Sequence, residues 1–119
     1  MSDLNARDQE LNQMILQGEI LEAFDKFYAD DVVMEEGDDR REGKEENREH
    51  EEQFVNSLEA FHSAEIKARG VDEENHVTFS EWENEMTLEG VGRVEQKQVA
   101  VRTWNEDGQI THEKFYKIR

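Results

Sequence analysis

The stretch HVTFSEWENEMTLEGVGRVEQKQVAVRTWNEDGQITHEKFYKI, residues 76–118, decides the fold. Gly90 and Gly92 mark one tight turn in it, and Asn105-Glu106-Asp107-Gly108 marks a hairpin loop. The segments between these signals carry Val, Thr and aromatic residues and no Pro. They predict long strands at about His76 to Glu89, Val91 to Trp104 and Gln109 to Ile118, preceded by a fourth at about Phe61 to Val71. The second half of the chain therefore reads as a four-stranded antiparallel meander.

A turn at Gly90 that pairs Leu88 with Gly92 sets Trp82 opposite Gln98. Carried through the last hairpin, the register pairs Trp104 with Gln109, Arg102 with Thr111, Ala100 with Glu113 and Gln98 with Phe115. One face then holds Trp82, Asn84, Gln98, Ala100, Arg102, Glu113 and Phe115, an aromatic and polar mixture suited to a small-molecule pocket. The other holds Val99, Val101, Ile110, His112 and Tyr116, which suits packing or a subunit contact. Apolar parity changes from odd at Val77 and Phe79 to even at Trp82, Met86 and Leu88, and from even at Val94 to odd at Val99 and Val101. Both changes fall near the Trp82–Gln98 rung, which predicts bulges bending the sheet there, with loose alternation as the other reading.

Upstream, Ser2 or Asp3 can cap a first helix with Leu4, Leu11, Met14 and Ile15 on one stripe, ended by Gly18. Ile20, Leu21, Phe24, Phe27 and Tyr28 give a second helix a broad apolar face. A short strand, Val32 to Glu36, and a charged turn-like stretch, Gly37 to Gly43, lead to a third helix from about Lys44 to Leu58. The inward stripe of that helix reads Asn47, Glu51, Phe54, Leu58, then Phe61, so it turns polar toward its N-terminus.

The chain has 119 residues, which fits one domain of roughly 13 to 14 Å radius of gyration. It has no Cys, which excludes disulfides, thiolate metal sites and a Cys nucleophile. Without a charged-then-apolar leader or an apolar run near the ~20 residues a bilayer requires, it is expected to be soluble and cytoplasmic. Against 31 acidic residues stand 14 basic ones, a formal charge of −17 that repels nucleic acid and anionic membrane. Low hydrophobicity with such charge is also the signature of disorder, but the helix and strand periods favour a folded domain with a halophile-like acidic surface.

Helix, helix, short strand, helix and a long bent meander resemble the SnoaL-like branch of the nuclear transport factor 2-like superfamily, whose members include polyketide cyclase-like and ketosteroid isomerase-like proteins. The resemblance is carried by Tyr28-Ala29-Asp30-Asp31-Val32-Val33-Met34-Glu35-Glu36, Gly43-Lys44-Glu45-Glu46-Asn47, Ser80-Glu81-Trp82, Gln98-Val99-Ala100-Val101 and His112-Glu113-Lys114-Phe115-Tyr116. It implies an α+β fold in which three N-terminal helices pack on a bent antiparallel sheet, a cone-shaped, cystatin-like barrel enclosing a pocket. It also implies a homodimer through the outer sheet face, here Val99, Val101 and Tyr116.

Glu36 shares strand parity with Val32 and Met34, and by resemblance stands where ketosteroid isomerases carry their general base. An apolar cavity raises a carboxyl pKa toward neutrality and suits it to abstract a proton beside a carbonyl. Beside Gly37 and a charged loop, Glu36 is more readily one further surface acid among the 31. The two side-chain donors of the isomerase oxyanion hole fall by resemblance on Leu11 and Ala100, which cannot donate, so steroid-type isomerisation is not expected. Glu113, a second candidate acid, lies one diagonal step from Arg102, where the two form a structural ion pair or orient a ligand. Trp82 and Phe115 are placed to stack on a flat ligand, with Asn47, Asn84 and Gln98 as further polar contacts. The histidines at 50, 62, 76 and 112 have no paired ligand spacing, and no phosphate or dinucleotide motif occurs, so neither metal nor cofactor is expected.

Two function classes fit these residues. One is an isomerase, cyclase or hydratase acting on a small apolar carbonyl or carboxylate compound; the other is a non-catalytic ligand-binding or dimeric accessory domain. The acidic surface itself generates a prediction. Screening shrinks from about 10 Å at 0.1 M salt to about 3 Å at 1 M, so the melting temperature should climb steeply across that range. A melting temperature flat across it would reject the halophilic reading.

Overall fold

The computed structural model describes residues 3–118. Helix α1 (Leu4–Leu16) is capped by Asp3, whose carboxylate accepts from the Asn5 and Ala6 amides at 3.0 and 3.4 Å; Ser2 lies outside the described residues. It ends as expected at Gly18, whose φ of +85° needs no Cβ to be accommodated. Helix α2 (Ile20–Phe27) follows, burying Ala23, Phe24 and Phe27. Strand β1 (Tyr28–Glu36) starts earlier than the sequence suggests; exposed Asp30 and Asp31 sit in an irregularity of its ladder between Tyr28 and Val33. The charged stretch is itself a strand, β2 (Asp39–Glu42), folded back by a two-residue turn at Gly37 and Asp38. Its pattern carries no apolar alternation, so only the backbone ladder reveals it. Helix α3 (Lys44–Ser57) leads into β3 (Leu58–Asp72), β4 (Val77–Leu88), β5 (Gly92–Trp104) and β6 (Ile110–Lys117).

These six strands form one sheet in the order β2-β1-β6-β5-β4-β3, antiparallel except for the parallel pair β1 and β6. The three helices pack against it, giving the expected α+β cone, with a radius of gyration of 13.8 Å. The narrow end is filled by Leu4, Leu11, Phe24, Phe27, Val32, Met34, Trp104 and Ile110. There the Phe27 and Trp104 rings meet edge to face with centroids 6.2 Å apart. No helix among the described residues is long and apolar enough to cross a membrane.

Leu88 pairs with Gly92 and Trp82 with Gln98, as the turn chemistry predicts. The bulges expected at that rung are absent: β4 and β5 pair without a register shift from Val77↔Thr103 to Leu88↔Gly92. Even-numbered residues face inward along both strands, including Thr78, Ser80, Trp82 and Met86 on β4 and Ala100, Arg102 and Trp104 on β5. What changes at the rung is the chemistry of the inner face, not its direction. The irregularities lie instead on the edge strand β3, at Leu58/Ala60, Phe61/Ser63 and Ile66/Ala68, where extra residues curl the sheet.

The last hairpin is displaced by two residues, one at its loop, where Trp104 pairs with Ile110 and not Gln109, and one at a further shift between Thr103 and Trp104. Arg102 therefore stands directly opposite Glu113, Ala100 opposite Phe115 and Gln98 opposite Lys117. Because strand side chains alternate with period two, a two-residue displacement leaves these residues on the expected faces. Ile110 lies beyond the irregularity and is core, not outer face.

The inner face can turn polar at the narrow end because α1 brings acceptors to it. Asp8 and Asn12 share the buried stripe of Leu4 and Leu11. Asp8 accepts from Thr78 Oγ1 at 2.9 Å, Arg102 Nη1 at 2.8 Å and Arg69 Nη2 at 3.1 Å. Asn12 Oδ1 takes a second bond from Arg102 Nη1 at 2.7 Å, and the Trp104 indole donates to Thr78 at 2.9 Å. Removing one partner of such a buried cluster strands a charge. Asp8→Ala should therefore lower stability by about 3–5 kcal/mol, read from the urea midpoint; a loss below about 1 kcal/mol, typical of a surface pair, would contradict this role.

Candidate functional site

Between α1, α2, α3 and the concave sheet lies a cavity of about 190 Å³. Its walls are mainly apolar, from Leu11, Ile15 and Phe24 on the helices to Trp82, Met86 and Phe115 on the sheet. The polar groups lining it converge from three directions: Tyr28, Glu36 and Arg41 from β1 and β2, His50 and Glu51 from α3, and Asn84, Gln96, Gln98, Arg102 and Glu113 from the meander.

Glu113 is 1 % exposed and fully engaged. Its Oε2 accepts from Arg102 Nε at 2.7 Å and its Oε1 from the Tyr28 hydroxyl at 2.7 Å. Burial, followed by the field of Glu113, raises the Tyr28 phenol well above its ordinary value, so the hydroxyl keeps its proton and remains a donor. Arg102 gives Nε to Glu113 and Nη1 to Asp8 and Asn12, so its pairing with Glu113 is a structural clasp.

Asn47, a candidate ligand contact in the sequence, is wholly buried and is not among the residues lining the cavity. Its amide donates to the Arg41 and Gly43 carbonyls at 3.1 and 2.9 Å, while its oxygen accepts from Arg41 Nε at 3.2 Å. It fastens the start of α3 to the β1–β2 hairpin. Glu36 does point to the cavity side of β1, but its side chain is exposed at the rim. The desolvation argued for it from strand parity is thus missing, because β1 ends there and Gly37 turns outward.

The carboxyl that meets those conditions is Glu51, one turn along α3 from Asn47 and one before Phe54. Burial, then the Glu113 carboxylate across the cavity, pushes it from the ordinary 4.5 up to about 7, against the pull of Arg41. His50 beside it is held below its usual value by burial and by Arg41. The signal was present in the stripe Asn47, Glu51, Phe54, where a carboxylate precedes an aromatic on an inward helix face. Trp82, Asn84, Gln98, Arg102 and Phe115 all line the cavity with it. No group of three or more His, Cys, Asp or Glu that could hold a metal ion occurs among the described residues.

A SnoaL-like domain family matches residues 2–117. Among curated proteins, none matches this sequence. Solved structures with the same fold include a protein from Mesorhizobium loti named as a SnoaL-like polyketide cyclase, 22% identical, with a TM-score of 0.84 over 97% of this chain and 99% of that one. An epoxide hydrolase/cyclase-like enzyme of pyran-ring formation in the polyether salinomycin is 22% identical, with a TM-score of 0.78 over 99% of this chain and 95% of that one. A Mycobacterium tuberculosis protein in complex with estradiol-17β-hemisuccinate is 16% identical, with a TM-score of 0.79 over 99% and 95%. With the family match spanning nearly its whole length and the cone fold in place, the chain belongs to the SnoaL-like domain family.

Proposed function

We propose that this protein binds a small, largely apolar carbonyl compound in the cone and moves a proton on it with Glu51, in an isomerase, cyclase or hydratase type of reaction. The carrying observation is the position of Glu51 in an apolar-walled cavity, facing a Glu113 whose oxygens are both occupied by Arg102 and Tyr28. Two carboxyls in one site with different partners divide the work: the clasped one is fixed in place, and the unclasped one is available to exchange a proton near pH 7. Glu36, at the rim, adds negative field to Glu51 rather than acting as the base. Structural neighbours that hold a steroid derivative or form a pyran ring support a small-molecule ligand.

A ligand-binding protein without turnover is the second reading. It is favoured by the apolar side chains of Leu11 and Ala100, which leave two isomerase-type donor positions empty of donors. For either reading we place a second copy against the outer sheet face, where Tyr116 and Phe79 are 49 and 38% exposed beside Val99 and Val101. Sedimentation as a monomer at micromolar concentration would reject that pairing.

5-Nitrobenzisoxazole separates the two readings, because loss of its ring C–H proton to a base breaks the N–O bond and yields a coloured phenolate. The wild type should open it with a rate that rises with pH through about 7, the value for Glu51. A positioned base contributes on the order of 10²-fold or more, so Glu51→Gln should lose that factor while Glu36→Gln retains it. A rate unchanged in Glu51→Gln would leave only the binding reading. Stability supplies an independent check. A carboxyl whose folded pKa lies above its unfolded one contributes stability fully present below pH 4.5 and lost as pH rises through about 7. Glu51→Gln should therefore melt higher than the wild type at pH 8 and not at pH 4.

A further inference from the structure

Asn84 lies on the cavity face of β4, directly across from Gln96 of β5, with Gln98 on the next inward rung opposite Trp82. Its Oδ1 is buried and has no hydrogen-bond partner among the described residues, so neither glutamine supplies the missing donor. A buried amide oxygen without a partner is a standing penalty that a ligand donor would relieve. The charged groups around the cavity point the same way. Arg102 is engaged by Asp8, Asn12 and Glu113, and Arg41 by Asp39 and Asn47, whereas Glu36 and Glu51 add negative charge. A ligand carboxylate would meet acids and already engaged guanidinium groups.

We infer that the ligand is an uncharged, largely apolar compound carrying a hydroxyl group, which donates to Asn84 Oδ1 while the neighbouring Gln96 and Gln98 amides surround its oxygen. The inference rests on the binding reading above and adds to it that the bound compound carries a hydroxyl group and no charge. Selection works by difference: a molecule of the same shape lacking the O–H leaves Asn84 unpaired, and a carboxylate brings a further negative charge into an acidic cavity.

Calorimetric titration at pH 7 with 2-naphthol, 2-methoxynaphthalene and 2-naphthoate tests this on the unmodified protein. These probes share one flat apolar body and differ in the donor or the charge. The wild type should bind 2-naphthol at least about tenfold more tightly than either other probe. Asn84→Leu should bind 2-naphthol and its methyl ether alike, and Asn84→Asp, which keeps an acceptor, should retain the hydroxyl preference. Equal binding of all three probes by the wild type, tightest binding of 2-naphthoate, or a preference that survives in folded Asn84→Leu would overturn the inference while leaving the binding reading intact. Failure of every probe to bind would overturn the binding reading and this inference together. The three-probe comparison needs no variant, so poor folding of a substituted chain does not protect the idea.

Discussion

The guanidinium of Arg102 sits 2 % exposed between a carboxylate of α1 and a carboxylate of β6, bonded to Asp8 at 2.8 Å and to Glu113 at 2.7 Å. A lone buried charge of this kind would be prohibitive, and two flanking acids with directional hydrogen bonds make it tolerable. Arg69 closes on Asp8 from β3 as the second cation, so two guanidinium groups face two carboxylates. The cluster therefore joins the first helix to both ends of the meander. The depth to which α1 settles on the sheet, and with it the contact of Leu4 and Leu11 with the core, is fixed by where Asp8 reaches its partners.

This constraint also determines what the cavity can do. Glu113 belongs to the ion cluster on one side and to the pocket on the other, and the Tyr28 hydroxyl holds its second oxygen. It is a fixed negative charge at the inner wall. Glu51 faces that charge from α3 without a clasp of its own, and its carboxyl is driven up by burial and by repulsion. In a chain of net charge −17, a carboxyl near neutrality arises here from the shortage of free cations inside the cone: Arg102 and Arg41 are both engaged in holding the framework. The raised pKa of Glu51 is thus a by-product of how the cavity walls are fastened.

The same accounting explains how far the sequence could be read. Gly90 and Gly92 fixed the turn, and the rungs Leu88–Gly92 and Trp82–Gln98 followed from it. Hydrophobic parity then misled, because Thr78 and Ser80 look like surface residues until Asp8 and Asn12 are known to lie opposite them. Those partners stand 68 to 70 residues away in the chain, and no local pattern announces them. For Glu36, strand parity and the family resemblance give a side chain's direction and position but not the length of strand left to cover it. Asn47 was likewise correct in direction and wrong in role, its amide being absorbed by backbone carbonyls of the adjoining hairpin.

A polar residue on an inward face becomes either framework or site according to whether another protein group claims it. Asp8, Asn47, Thr78 and Arg102 are claimed, and each ties two elements together. Among the described residues no side chain claims Glu51 or the Asn84 Oδ1, and both residues line the cavity. The division follows geometry: toward the narrow end, helix and sheet approach closely enough for side chains to satisfy one another, while across the cavity they do not. Where the walls stand apart, Asn84 Oδ1 is left without a partner among the described residues. The cone widens where hydrogen-bonding groups are left open, so the framework that closes its narrow end also selects which residues remain available for a ligand.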